Sequence, residues 1–100
     1  MIAERARTGA VQRSPAVIWD RVDGAVTLCN PETAELFRLN ETGGVIWELC
    51  DGRTVGEILT AVAARYPSVR RERLEGTVHE YLAMLSGEGL IQDPSSRQAP

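Results

Sequence analysis

The chain has 100 residues, of which 43% are hydrophobic and 25% are charged, close to the averages for globular proteins. This length predicts one domain that can form a modest core without metal or disulfides. The net charge of −3, from 11 basic and 14 acidic residues, argues against binding to duplex nucleic acid or to an anionic membrane.

The two ends of the chain differ from the middle. Residues 1–14 carry several charges and no periodicity, so they are predicted to form a flexible N-terminal arm. They also lack the apolar core of a signal peptide, and no apolar run is long enough to span a bilayer, so we expect a cytoplasmic protein. Residues 93–100 are polar with two prolines and are predicted to be disordered. The domain is therefore expected over residues 15–92.

The first predicted elements form a β-hairpin. Two apolar stretches, residues 16–22 and 25–29, flank Asp23 and Gly24. Such a pair favours a type I′ turn, in which both central residues have positive φ. The resulting register places Trp19 opposite Leu28. It places Arg21 opposite Val26.

A third predicted strand follows over residues 34–39, after a type I turn at residues 30–33 that carries Pro31 in second position. Phe37 and Leu39 are expected to face inward, and Leu36 and Arg38 outward, because side chains alternate along a strand. Nothing later in the chain resembles another long strand. We therefore expect this strand to lie at the edge of the sheet with unpaired N–H and C=O groups.

Three helices are predicted after the strands. Asn40 is a credible N-cap for the first, and Thr54 with Glu57 forms a capping box that begins the second. Pro67 ends the second helix, and the third is expected over residues 71–86. The sequence thus predicts an α+β fold in which a three-stranded antiparallel sheet precedes three helices.

No residue pattern indicates catalysis, a metal site or a cofactor. His79 is the single histidine and has no Cys, Asp or second His at ligand spacing, which indicates a surface residue. Cys29 and Cys50 are expected to be structural, with Cys50 in the core. Trp19 and Trp47 are predicted to pack, although contact between a sheet-face tryptophan and a partner remains an alternative.

Several short motifs occur in a fixed order: L-N-E-T-G-G-V-I-W-E-L-C-D-G (residues 39–52), R-T-V-G-E-I (53–58), Y-L-A-M-L (81–85) and G-L-I (89–91). Together they resemble the PqqD-like family, also called the RiPP precursor peptide recognition element, where RiPP denotes a ribosomally synthesised and modified peptide. The resemblance covers residues 17–91 and implies a winged helix-turn-helix-like domain. The chain departs from the family at Gly43 and Gly44, where alanine or a small polar residue is commoner.

The resemblance also implies a function. Members of the family are not enzymes and carry no cofactor; they bind the leader segment of a precursor peptide and present it to a modifying enzyme. The partner enzyme is a radical SAM enzyme or, in lasso peptide synthesis, a leader peptidase. Residues 31–40 resemble the lasso-type and other stand-alone members more than the quinone-synthesis member.

In such proteins the leader adds a strand beside the third strand, against the third helix, a mode in which backbone pairing gives affinity and side-chain pockets give specificity. The peptide-binding residues predicted for this sequence are Glu35, Leu36, Phe37, Arg38 and Leu39 on the strand, and Arg70, Arg73, Thr77, Tyr81 and Met84 on the helix. A winged-helix DNA-binding regulator is the alternative function. A homodimer that pairs through the same edge strand is a further alternative.

Overall fold

The computed structural model describes residues 9–92. In chain order the elements are β1 (Ala10–Arg13), β2 (Ile18–Val22), β3 (Ala25–Asn30), β4 (Glu35–Leu39), α1 (Glu41–Leu49), β5 (Asp51–Thr54), α2 (Val55–Arg65), α3 (Arg71–Gly87) and β6 (Ile91–Gln92). The strands form two three-stranded antiparallel sheets, with strand orders β2-β3-β4 and β5-β1-β6.

The predicted three-stranded antiparallel sheet is confirmed as β2-β3-β4, and we call it the meander because its strands are consecutive in the chain. Asp23 and Gly24 have φ values of 53° and 79°, as a type I′ turn requires. Trp19 pairs with Leu28, and Arg21 pairs with Val26. The predicted third strand is β4, which pairs with β3 along its whole length.

The turn between β3 and β4 is also confirmed. The Thr33 N–H donates to the Asn30 carbonyl oxygen at 3.2 Å, which is the i to i+3 bond of a β-turn. Ala34 follows with φ of 61°, and its N–H donates to the same carbonyl at 2.7 Å. This left-handed residue returns the chain into β4, so the strand begins at Glu35.

The helix starts are where the sequence predicts them. The Asn40 side chain accepts from the Gly43 N–H at 2.8 Å. The Thr54 side chain accepts from the Glu57 N–H, and the Glu57 carboxylate accepts from the Thr54 N–H, which is a complete capping box. The third helix ends at Gly87, one residue beyond the predicted end.

The core lies between the inner face of the meander and the three helices. Trp47 and Cys50 are fully buried there, as predicted. The other buried apolar residues come from β1, the meander, all three helices and the segment that enters β6: Val11, Val26, Leu28, Leu39, Val45, Ile46, Ile58, Val62, Leu74, Val78, Leu82, Leu85, Leu90 and Ile91.

The second sheet corrects the predicted fold. The sequence predicts one sheet, whereas the structure has two, since β1 pairs with both β5 and β6. Residues 10–13, assigned to a flexible arm, are a strand whose Val11 is fully buried. Residues 1–8 of that arm and the predicted disordered tail 93–100 lie outside the described residues. The winged helix-turn-helix description stays a prediction.

Arg13 links strand β1 to helix α1. Its Nη1 donates to the carbonyl oxygens of Trp47 and Glu48 at 3.1 and 2.7 Å, which caps the C-terminal end of the helix. The guanidinium also lies 5.4 Å from the Trp19 ring centroid and 5.9 Å from that of Trp47. The two rings meet edge to face with centroids 5.8 Å apart. Trp19 is therefore a packing residue, although it stays 37% exposed.

We predict that Arg13→Ala lowers the free energy of unfolding by about 1 to 3 kcal/mol, because charged hydrogen bonds to a helix end are lost. Arg53→Ala is the control: Arg53 forms an exposed ion pair with Asp51 at 2.6 Å, and such pairs contribute less than about 1 kcal/mol. Urea denaturation followed by tryptophan fluorescence measures both. Equal losses in the two variants would contradict the structural role of β1.

Candidate functional site

The turn at Asp23 and Gly24 determines which backbone groups of β4 face outward. In a type I′ turn the residues flanking the central pair are hydrogen-bonded, so Val22 and Ala25 bond to each other. Bonded and non-bonded pairs alternate along antiparallel strands, so the N–H of Arg21 points away from β3. This N–H donates instead to Asp20 Oδ1 at 2.9 Å, which agrees with the alternation.

The same alternation carries across β3 to β4. Residues of β3 whose backbone groups do not hydrogen-bond to β2 hydrogen-bond to β4 instead. The hydrogen-bonded pairs between β3 and β4 therefore include Val26–Leu39 and Leu28–Phe37. Leu36 and Arg38 therefore direct their N–H and C=O groups to the opposite side. Within residues 9–92 no strand pairs with β4 on that side. The open edge of β4 thus presents two N–H and two C=O groups in a row.

The side chains of β4 alternate as predicted. Leu39 is 3% exposed and Phe37 is half-buried against the core, whereas Leu36 is 70% exposed and Arg38 is exposed. The residues that offer their backbone groups at the edge are therefore also those whose side chains lie on the outer face of the sheet. Glu35, at the start of the strand, is exposed.

Two hydrogen bonds link α3 to residues that adjoin the two ends of β4. The Tyr81 hydroxyl donates to Asn40 Oδ1 at 2.7 Å, next to the last residue of β4. The Nδ2 of Asn30, the last residue of β3 and the cross-strand partner of Glu35, donates to the Glu88 carbonyl oxygen at 3.4 Å. The body of the helix packs on α1, α2 and β6. We call the space between the open edge of β4 and the helix face of Glu80, Tyr81 and Met84 the edge groove.

Tyr81 and Met84 are half-buried, and with Glu80 they line a shallow cavity of about 270 Å³. Thr77, one turn earlier, is also half-buried and continues this face. Phe37 is half-buried on the inner side of β4 and, like Tyr81 and Met84, packs against the core, so both the strand and the helix carry apolar side chains. These residues could accept an apolar side chain of an extended ligand.

Arg70 and Arg73 lie farther away. Arg70 is the N-cap residue of α3, and Arg73 is two turns before Tyr81, about 12 Å along the helix axis. Since Tyr81 already contacts Asn40 beyond the end of β4, the two arginines lie past that end and not beside Glu35–Leu39. Arg70 has an ion pair with Glu72 at 3.8 Å. Of the predicted helix residues, the structure therefore brings Tyr81 and Met84 to β4 most directly.

Gly43 and Gly44 allow α1 to fit between the sheet and α3. A Cβ atom on Gly43 would lie 2.6 Å from the Tyr81 ring, and one on Gly44 would lie 3.0 Å from Val26 Cγ2. The departure from the family pattern thus has a steric reason in this chain. Asn40 and Gly43 belong to the site because they position Tyr81, whereas the sequence indicated only a helix cap.

The described residues hold no group of three or more His, Cys, Asp or Glu side chains that could bind a metal ion. His79 is exposed on α3, in agreement with the surface position expected for it. Cys29 is half-buried in the sheet and Cys50 is in the core. In the same part of the chain no helix is long and apolar enough to cross a membrane.

Comparison with known proteins identifies the family of this sequence. The sequence profile of "Coenzyme PQQ synthesis protein D (PqqD)" matches residues 25–91. The chain belongs to the PqqD family. The resemblance predicted from the sequence is therefore confirmed. No match was found among curated proteins.

Two solved structures resemble this PqqD-family chain. One is "TbiB1 in Complex with the TbiA(beta) Leader Peptide", with 32% identity, a TM-score of 0.74 and coverage of 81% of this chain and 94% of that one. The other is "Lasso peptide synthetase B1 complexed with the leader peptide", with 19% identity, a TM-score of 0.72 and coverage of 83% and 98%. At its low identity the second supports the fold alone.

We predict that Gly43→Ala destabilises the domain by about 1 to 2 kcal/mol, because the new methyl group displaces the Tyr81 ring and breaks its bond to Asn40. Gly76→Ala is the matched control, since Gly76 lies inside α3 with open space around its Cβ position. It should stabilise by up to about 1 kcal/mol, as alanine favours a helix. Chemical denaturation measures both changes. Similar losses in the two variants would contradict the close approach.

Proposed function

We propose that this PqqD-family protein binds the leader segment of a ribosomally made precursor peptide as an added strand along β4 and presents it to a modifying enzyme. The observation that carries the proposal is the open edge of β4, whose outward N–H and C=O groups belong to Leu36 and Arg38. An extended peptide beside β4 can pair with these four groups whatever its side chains are. The protein itself performs no catalysis in this proposal.

The edge groove supplies selectivity. Every second side chain of an added strand would turn inward, between Phe37 and the half-buried Tyr81 and Met84. An apolar side chain there removes surface from water, which stabilises the complex by roughly 1.5 to 3 kcal/mol for a large residue. Thr77, Arg73 and Arg70 would meet only a peptide that continues past the end of β4.

The 32% identical relative supports the ligand class, since its structure contains the TbiA(beta) leader peptide. We extend that ligand class to this chain and propose a role in lasso peptide synthesis, with a leader peptidase as the partner enzyme. A radical SAM enzyme is the other partner predicted from the family. Because precursor peptides are made on ribosomes, the proposed site of action is the cytoplasm.

The charges on α3 make the DNA-binding alternative less suitable. Two of the three arginines at the helix start have carboxylate partners on the same helix: Arg70 with Glu72 at 3.8 Å, and Arg71 with Glu75 at 3.9 Å. A duplex-binding surface needs arginines that are available to phosphates. The open edge and the leader-bound relative both favour a peptide ligand.

The test compares proline at two adjacent positions of β4. Leu36→Pro removes an outward N–H and leaves the bonds to β3 intact, so the variant should stay folded and lose at least about tenfold in peptide affinity. Leu36→Ala removes only the exposed side chain and should weaken binding less. Phe37→Pro removes an N–H that bonds to Leu28 and should unfold the domain.

The ligands for this test are peptides selected from a displayed library of random linear sequences, with the TbiA(beta) leader peptide added as a defined member. Fluorescence polarisation measures affinity, and backbone amide shifts of Leu36 and Arg38 locate the site. Unchanged affinity in Leu36→Pro, or failure to select any peptide, would overturn the proposal. Dimerisation of the free protein that peptide does not reverse, seen by sedimentation, would favour edge pairing between two copies instead.

A further inference from the structure

The outer face of the meander carries side chains that the inward-facing groove does not use. Cross-strand neighbours on this face form rows that run towards the open edge of β4. One row contains Ile18, Cys29 and Leu36, which pair successively across the three strands. The next row contains Asp20, Thr27 and Arg38, whose members are paired in the same way. Both rows end at β4.

The first row is apolar and open to solvent at both of its ends. Ile18 is 64% exposed and Leu36 is 70% exposed, while Cys29 between them is half-buried. Large apolar residues on a sheet face gain stability from a neighbour on the adjoining strand. Leu36 has such a neighbour on the β3 side and, within residues 9–92, none on the other.

The second row ends at the open edge in a cationic residue, Arg38. Among the described residues Arg38 forms no ion pair, and its row neighbour Thr27 is neutral. Asp20 lies two strands away, about 10 Å, and its carboxylate already accepts from the Arg21 N–H at 2.9 Å. The guanidinium of Arg38 thus stands at the open edge of a chain whose net charge is −3.

We propose that the outer face selects two residues of the bound leader: an apolar residue beside Leu36 and an acidic residue beside Arg38, separated by one residue. We call this pair of preferences the outer-face code. This inference rests on the proposed function, since it requires an added strand along β4. Side chains directly across from Leu36 and Arg38 turn to the same face as these two residues, whichever direction the peptide runs. The intervening residue turns into the edge groove. The code is apolar-x-acidic in a parallel leader and acidic-x-apolar in an antiparallel one.

The test is a selection from a displayed library of random linear peptides on the wild-type protein, with counter-selection on Leu36→Pro to remove binders that do not use the edge. Enriched peptides should carry an apolar and an acidic residue two positions apart. Repeating the selection on Arg38→Glu should replace the acidic residue by Lys or Arg. Repeating it on Leu36→Ser should remove the apolar preference and leave the acidic one.

Individual peptides then give the size of the effect. A peptide selected on the wild-type protein should lose on the order of tenfold in affinity for Arg38→Glu, because an attractive cross-strand pair becomes a repulsive one. Replacing its acidic residue by Lys should restore that affinity. The difference in affinity between the wild-type protein and Arg38→Glu should shrink in high salt, since the pair of Arg38 and the acidic residue is exposed. Arg65→Glu is the matched control, as it makes the same charge change at an exposed position of α2.

The outcomes separate the two proposals. Enriched peptides whose acidic position does not respond to Arg38→Glu, or responds equally to Arg65→Glu, overturn the outer-face code and leave strand addition standing. Failure to enrich any peptide overturns strand addition and the code with it. Inversion of the charge preference on Arg38→Glu alone supports the code.

Discussion

The alternation of hydrogen-bonded and non-bonded residue pairs across the meander is the constraint on which the candidate site depends. It is fixed at Asp23 and Gly24, because a two-residue turn with positive φ at both positions allows only one arrangement of bonded pairs. Two strands later, that arrangement determines that Leu36 and Arg38 face the open edge. A shift of one residue would turn Phe37 outward and bury Arg38, so this short turn controls both the backbone and the side chains of β4.

A second constraint is steric. The absence of a side chain at Gly43 lets the Tyr81 ring lie on the first turn of α1, and Gly44 lets the same turn approach Val26. Asn40 then accepts from both the Gly43 N–H and the Tyr81 hydroxyl. One amide side chain therefore begins a helix and holds a second helix beside β4. The position of Tyr81 in the edge groove therefore depends on Asn40 and Gly43.

Local signals made much of the fold predictable. The hairpin, the turn at residues 30–33, the Asn40 cap and the capping box each depend on a few adjacent residues, and all were predicted correctly. The sheet β5-β1-β6 depends on pairing between distant segments, and its strands are short. Residues 51–54, D-G-R-T, have the composition of a turn, and a single buried Val11 gives β1 no visible alternation. Helical spacing placed Tyr81 and Met84 on one face of α3, but the position of Arg73 relative to β4 required the packing of α3.

The pairing of β1 with β6 has a further consequence. Gln12 and Gln92 are antiparallel neighbours, so the two ends of the described domain emerge side by side on adjacent strands. A domain with this arrangement can be inserted into a surface loop of a larger polypeptide with little distortion of the host, or be circularly permuted by joining its ends and opening an exposed turn. The domain is thus suited to act alone or as part of a longer polypeptide.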